Sequence, residues 1–245
     1  MRYDFVYDGT LEGLLCVIAF AVARHVRPDS INPESAVEVP QRPVYIRTDR
    51  DIADNFYRYI GHNAGTECQQ LVYDYFLTAA DGVEPMIYDL ICRALCEGPS
   101  IFERTDDCRI RAMRRRIRDL YREAGDELQE LMSVPVNDVQ VAVTEPSGIV
   151  IPIIRQAVLE DVFDGDFLLY DRRHALLLMR AGSSVYSINV ASDEIYKNNR
   201  NERDPYIIYE LFWDKFISSE DRRRISYRKE RLVSDGISGL WEIPA

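Results

Sequence analysis

Residues Ile110–Leu131, IRAMRRRIRDLYREAGDELQEL, decide how the first half of this chain is built. Ile110, Met113, Ile117, Leu120, Ala124, Leu128 and Leu131 recur at intervals of three and four, the period of a helix with one apolar face. Beside that stripe, Arg111, Arg114, Arg115, Arg118 and Arg122 fall on roughly one third of the helix circumference. One face therefore suits a core and another suits anions or carboxylates. Arg115 with Asp119 and Arg122 with Asp126 stand four apart, a spacing at which an ion pair contributes about 0.2–0.5 kcal/mol to a helix. Arg111, Arg114 and Arg118 have no acid at the favourable spacing within the helix.

Upstream of this helix the pattern stays helical back to a cap at Thr48 or Asp49, punctuated by Gly61-His62-Asn63, Asp81-Gly82 and Gly98-Pro99. The start reads differently. Arg2–Val6 is expected to be a short strand ending in the turn Tyr7-Asp8-Gly9, with Thr10 capping a helix and Gly13 permitting close packing in its first turn. The apolar run Leu14–Ala23 is too short to cross a bilayer. Asp4, Asp8 and Glu12 precede it where a signal peptide would carry positive charge, so a buried helix is expected and no membrane association. Residues 28–43, rich in Pro, Ser, Asn and Glu, read as a surface loop before a second short strand, Val44–Arg47.

Downstream the period changes. Val139–Val143 alternates as a strand, Glu145-Pro146-Ser147-Gly148 turns the chain, and Ile149–Val162 is a helix with Pro152 near its start. Asp166–Tyr170 and His174–Arg180 are expected to be strands joined by the turn Asp171-Arg172-Arg173, followed by a third strand, Ser184–Val190. Asp204-Pro205 opens a last helix through Ile217, before a basic cluster of Arg222, Arg223, Arg224, Arg228, Lys229 and Arg231. The expected fold class is α+β: a mainly helical half with an N-terminal strand, 1–135, and an α/β half with a small sheet flanked by helices, 136–245. The two halves could also form one integrated domain.

A formal charge of -11 and 47 % apolar residues describe an ordinary globular chain, acidic overall. Basic residues are almost all arginine, since Lys197, Lys215 and Lys229 are the only lysines. A guanidinium fork matches carboxylate or phosphate as an ammonium does not. Codon bias in a GC-rich genome would also explain the preference for arginine. The cysteines, Cys16, Cys68, Cys92, Cys96 and Cys108, are odd in number with no secretory signal, which points to the reducing cytoplasm. Cys92 and Cys96 share a helix face. An iron–sulfur cluster loop would need a third cysteine where Pro99 stands, so buried thiols are expected there. His25, His62 and His174 lack ligand spacing with the cysteines, so no metal or other cofactor is expected. There is no glycine-rich phosphate loop and no Gly-x-Ser-x-Gly elbow. Asp204-Pro205-Tyr206 is similar to a uracil-DNA glycosylase tripeptide, but a helix N-cap with proline at N1 explains it locally.

Several segments, in order, carry a resemblance. They are Tyr7-Asp8-Gly9-Thr10-Leu11-Glu12-Gly13-Leu14-Leu15, Glu145-Pro146 followed by Val150-Ile151-Pro152-Ile153-Ile154, Tyr170-Asp171-Arg172-Arg173, and Leu211-Phe212-Trp213. Together they resemble the uncharacterised bacterial and archaeal family described as "probable DNA metabolism protein". Its members are typically encoded beside a radical SAM protein assigned to DNA modification or repair, and some are fused ahead of a uracil-DNA glycosylase-like domain. The family tends to carry Glu-x-His-Arg on its central helix. Here the match is Asp119-Leu120-Tyr121-Arg122, with tyrosine in place of histidine.

The resemblance implies an accessory protein of a radical SAM system, without its own cofactor, whose partners are that enzyme and a DNA backbone. The anion-binding residues would be Arg111, Arg115, Arg118, Arg122, Arg172, Arg173, Arg222, Arg223 and Arg228. The alternatives are an enzyme acting on nucleic acid through the turn carboxylates Asp8, Glu145 and Asp171, or an interaction module for an acidic protein.

Overall fold

The computed structural model describes residues 3–36, 43–104, 106–132, 140–159, 167–181 and 184–189. The chain forms two compact units, Met1–Leu120 and Tyr121–Ala245, and helix α5 (Cys108–Met132) contributes to both. The architecture is mixed α+β, with the helices concentrated toward the N-terminus and the larger sheet in the C-terminal half.

The first unit begins with β1 (Asp4–Tyr7), which runs parallel to β2 (Ser30–Pro33) on one side and to β3 (Val44–Tyr45) on the other. Phe5, Val6 and Tyr7 are all buried, as expected of a central parallel strand covered on both faces. Helix α1 (Leu11–Arg24) follows. The Thr10 hydroxyl accepts from Gly13 N at 3.0 Å, satisfying one of the first-turn amides. The apolar run becomes the buried face of this helix through Leu14, Val17, Ile18 and Ala21.

Helices α2 (Arg50–Ala64), α3 (Thr66–Leu77) and α4 (Val83–Glu97) then build the core with Ile60, Val72, Ile87 and Ile91, each fully buried. Burial of such a side chain contributes about 1.5–3 kcal/mol. Asp49 is the cap of α2, its Oδ1 accepting from Ile52 N at 3.1 Å. Asp107 opens α5 in the same way, accepting from Arg109 N at 3.0 Å and Ile110 N at 3.1 Å.

The second unit contains a βαβ unit: β4 (Gln140–Thr144), α6 (Ile151–Leu159) and β5 (Phe167–Asp171), with β4 and β5 parallel. Strands β6 (Leu176–Ala181) and β7 (Ser184–Asn189) extend the sheet antiparallel, in the order β4-β5-β6-β7. Every residue of β5 is buried. The register pairs Thr144 with Asp171, so the carboxyl ends of β4 and β5 lie side by side.

Several expectations need correction. The loop expected over 28–43 contains β2. Its SINP sequence shows no alternation because only Ile31 is buried, and an edge strand tolerates Pro33, which lacks an N–H. The strand expected at 44–47 is shorter, Val44–Tyr45. The strand expected from His174 starts at Leu176, because His174 and Ala175 belong to the turn and Ala175 has a left-handed φ of 52°. The end of the helix expected to Val162, the helix expected from Asp204 and the basic cluster 222–231 lie outside the described residues.

Candidate functional site

Along α5 the apolar stripe is buried at Ile110, Met113, Leu120, Ala124 and Leu131, while the arginine face lies beside it. Tertiary contacts sort these arginines. Arg109 pairs with Asp89. The Arg114 guanidinium donates to Glu67 Oε1 at 2.6 Å and to the Phe102 carbonyl at 3.1 Å. Arg111, Arg115 and Arg118 are exposed, and none of them forms an ion pair with a described residue. The Arg115–Asp119 pair expected from spacing is therefore not made. Arg122 is exposed one turn beyond Arg118. Tyr121, which stands where the resembled family has histidine, is 45 % exposed.

Asp8 lies at the carboxyl end of β1, in the loop leading to α1. Its Oδ1 accepts from Thr10 N at 3.0 Å and from Thr10 Oγ1 at 2.7 Å, and its Oδ2 accepts from Thr48 Oγ1 at 2.7 Å. Partial burial pushes the carboxyl up, but the bonds from Thr10 and Thr48 outweigh it and hold the group below its ordinary range. The carboxylate thus ties the loop after β1 to the loop after β3. Below it, the buried Tyr7 hydroxyl donates to Glu84 Oε1 at 3.1 Å. Burial first, and then the Glu84 carboxylate, push that phenol well above its usual value. The bonds from Thr48 to Asp8 and from Tyr7 to Glu84 join separate elements of the fold, while those from Thr10 to Asp8 close the loop locally.

The carboxyl edge of β4 and β5 gathers more chemistry. Asp171 is fully buried; its Oδ1 accepts from His174 N at 3.0 Å and its Oδ2 lies 2.7 Å from His174 Nδ1. With Asp171 as the acceptor in this contact, Nδ1 is the donor and Nε2 is left for another partner. Among the described residues Nε2 has none. Arg172 N donates to the Thr144 carbonyl at 3.0 Å, and its guanidinium donates to Glu145 Oε1 at 2.7 Å. Arg173 is exposed and forms no ion pair with a described residue.

Helix α5 holds the neighbouring loop. Glu123 accepts from Ser147 N at 2.7 Å, from Ser147 Oγ at 2.9 and 3.0 Å, and from Gly148 N at 3.2 Å. One turn on, Glu127 accepts from the Thr144 hydroxyl.

Of the sequence-nominated carboxylates, Asp171 and Glu145 therefore meet at one edge, while Asp8 belongs to the other sheet. Glu145 is held in an exposed ion pair. Arg172 is committed to Glu145, and Arg173 is not committed. Arg222, Arg223 and Arg228 lie outside the described residues. The residue that sequence reasoning missed is His174. Its signal is the spacing Asp171-x-x-His174 across a hairpin turn, which lets the carboxylate reach both the backbone and the ring of the same residue.

Cys92 and Cys96, expected to be buried, differ: Cys92 is half-buried and Cys96, near the end of α4, is exposed. Among the described residues no group of three or more His, Cys, Asp or Glu side chains is arranged to hold a metal ion, and no helix is long and apolar enough to cross a membrane. No protein-family model, curated protein or solved structure matches the chain.

Proposed function

We propose that the chain is a binding subunit for a nucleic-acid backbone, and that it works as the cytoplasmic partner of a radical SAM enzyme of DNA modification or repair. One observation carries the binding reading: Arg111, Arg115 and Arg118 are exposed and without ion pairs to described residues, whereas Arg109 and Arg114 of the same helix are taken by Asp89 and Glu67. Successive turns of one helix repeat at about 5.4 Å, so a row of guanidinium groups at this spacing can follow a phosphate backbone. The net charge of -11 does not oppose this. Exposed charges farther away than a Debye length, about 8–10 Å at ordinary salt, are largely screened. The partner enzyme and the DNA context rest on the family resemblance, and the radical chemistry would belong to that partner.

The test is binding of labelled single- and double-stranded DNA to the full chain and to a variant carrying Arg115→Glu and Arg118→Glu. Loss of binding with an unchanged circular-dichroism spectrum and melting curve supports the reading. Equal binding by both proteins overturns it.

A further inference from the structure

The β5–β6 turn holds an ordered histidine that the arginine row does not use. The residue is held twice against one fully buried carboxylate, its backbone through the main-chain N–H and its ring through Nδ1. The side chain is 15 % exposed, so it is neither wholly enclosed nor loose. With Nδ1 committed, Nε2 is the remaining polar atom of the ring. The turn stands at the carboxyl edge of the β4–α6–β5 unit, the edge at which open α/β sheets bind ligands. The local charges also leave a residue. Arg172 is balanced by Glu145 at 2.7 Å, and Asp171 is engaged by His174, but Arg173, between them in sequence, is balanced by no described acid. An uncommitted guanidinium next in sequence to an oriented imidazole selects for an anion that can also share a proton.

We propose that His174 and Arg173 form a binding site for a phosphomonoester, a group such as a 5′-nucleotide or a phosphorylated strand end carries, with Asp171 as the positioning residue. A phosphomonoester keeps a proton that titrates near pH 6, which a phosphodiester lacks. One proton between Nε2 and a phosphate oxygen then makes the hydrogen bond, whether the ring or the phosphate supplies it. Arg173 binds the same group through its charged fork. This site is independent of the arginine row on α5, which would meet backbone diesters.

The chain has only three histidines, His25, His62 and His174, so its imidazole resonances can be assigned by single substitutions. The experiment titrates the full chain with inorganic phosphate, with a deoxynucleoside monophosphate and, as anion controls, with sulfate and dimethyl phosphate, following the histidine ring signals. The expected result is a saturable shift at His174 with phosphate and the nucleotide, a much smaller one with the controls, and none at His25 or His62. Arg173→Ser, in an exposed turn position, should weaken phosphate binding by about ten-fold while His174 keeps its free-state signal. Asp171→Asn should reverse the ring tautomer, visible in the nitrogen shifts, and lower affinity. If that variant does not fold, Arg173→Ser, read at the His174 ring, and His174→Gln, read by titration calorimetry with inorganic phosphate, still decide the matter. Absence of a saturable His174 shift overturns the proposal. So does an equal response at all three histidines, an equal response to sulfate, or undiminished binding by both Arg173→Ser and His174→Gln.

Discussion

A single buried carboxylate, that of Asp171, holds His174 by both its backbone N–H, at 3.0 Å, and its ring Nδ1, at 2.7 Å. It closes the β5–β6 turn and orients an imidazole at once. Removing it would leave a part-buried amide and a ring nitrogen without their acceptor. Each such orphan costs about 1–3 kcal/mol.

Asp171→Ala is accordingly expected to lower unfolding free energy in urea by about 2–4 kcal/mol, among the larger single-residue effects. His174→Ala should cost less, and the double variant should fall short of the sum, because both changes break one contact. Strict additivity of the two would show that the pair contributes no coupling.

Residue order carries some of these elements and not others. The α5 stripe and the continuous apolar run of β5 are visible, because helix period and two-sided burial both leave marks in residue order. Strand β2 is not visible, since only Ile31 of its four residues is buried and its pairing with β1 depends on partners 26 positions away. The candidate site is legible in part. Asp171 and the arginines stand out as residue types. The approach of His174 depends on the turn that Ala175 completes at φ 52°, a conformation its identity does not announce. Which arginines stay uncommitted was likewise set at long range, by Glu67 and Asp89 on other helices.

Gly13 shows close packing with a cause. A Cβ there would lie 2.3 Å from Asp8 Oδ1 and 2.8 Å from Thr48 Oγ1. Gly13→Ala should therefore break the bridge between the two loops and destabilise the chain by about 1–3 kcal/mol. Adding Asp8→Ala to it should cost little more, since the clash and the bridge share one side chain. A melting temperature unchanged by Gly13→Ala would contradict this account of Asp8.

Acid should weaken the first unit in a defined direction. The hydrogen bond from Arg93 beside it, and then the amides of Ile110 and Arg109, hold the Asp107 carboxyl below its ordinary range against the effect of burial. Its folded pKa is depressed. Its contribution is thus complete above the unfolded value, near pH 4, and is lost as pH falls through the folded value. Unfolding free energy measured from pH 7 down to pH 2.5 should decline below about pH 4. Asp107→Asn should decline less steeply over that window. An equal or steeper decline in the variant would rule Asp107 out as a source of the acid sensitivity.

Arg114 and Arg115 are neighbours in sequence with opposite assignments, and that contrast separates binding from architecture. Arg114 is engaged by Glu67 and the Phe102 carbonyl, while Arg115 is exposed without an ion pair to a described residue. Arg114→Ser is expected to reduce stability by about 1 kcal/mol, as for the loss of charge-assisted hydrogen bonds that are partly solvent-screened, and to leave DNA affinity nearly unchanged. Arg115→Ser should do the reverse. If its guanidinium meets a phosphate, binding weakens for all sequences alike, because a backbone contact reads no base. The plot of log affinity against log salt should also lose slope by about 0.9 for duplex and 0.7 for single-stranded DNA, one counterion-release step per lost contact. Paired measurements of urea unfolding and of DNA affinity at several salt concentrations distinguish the two residues. If Arg114→Ser abolishes binding while Arg115→Ser leaves both affinity and slope intact, the uncommitted row is not the nucleic-acid surface.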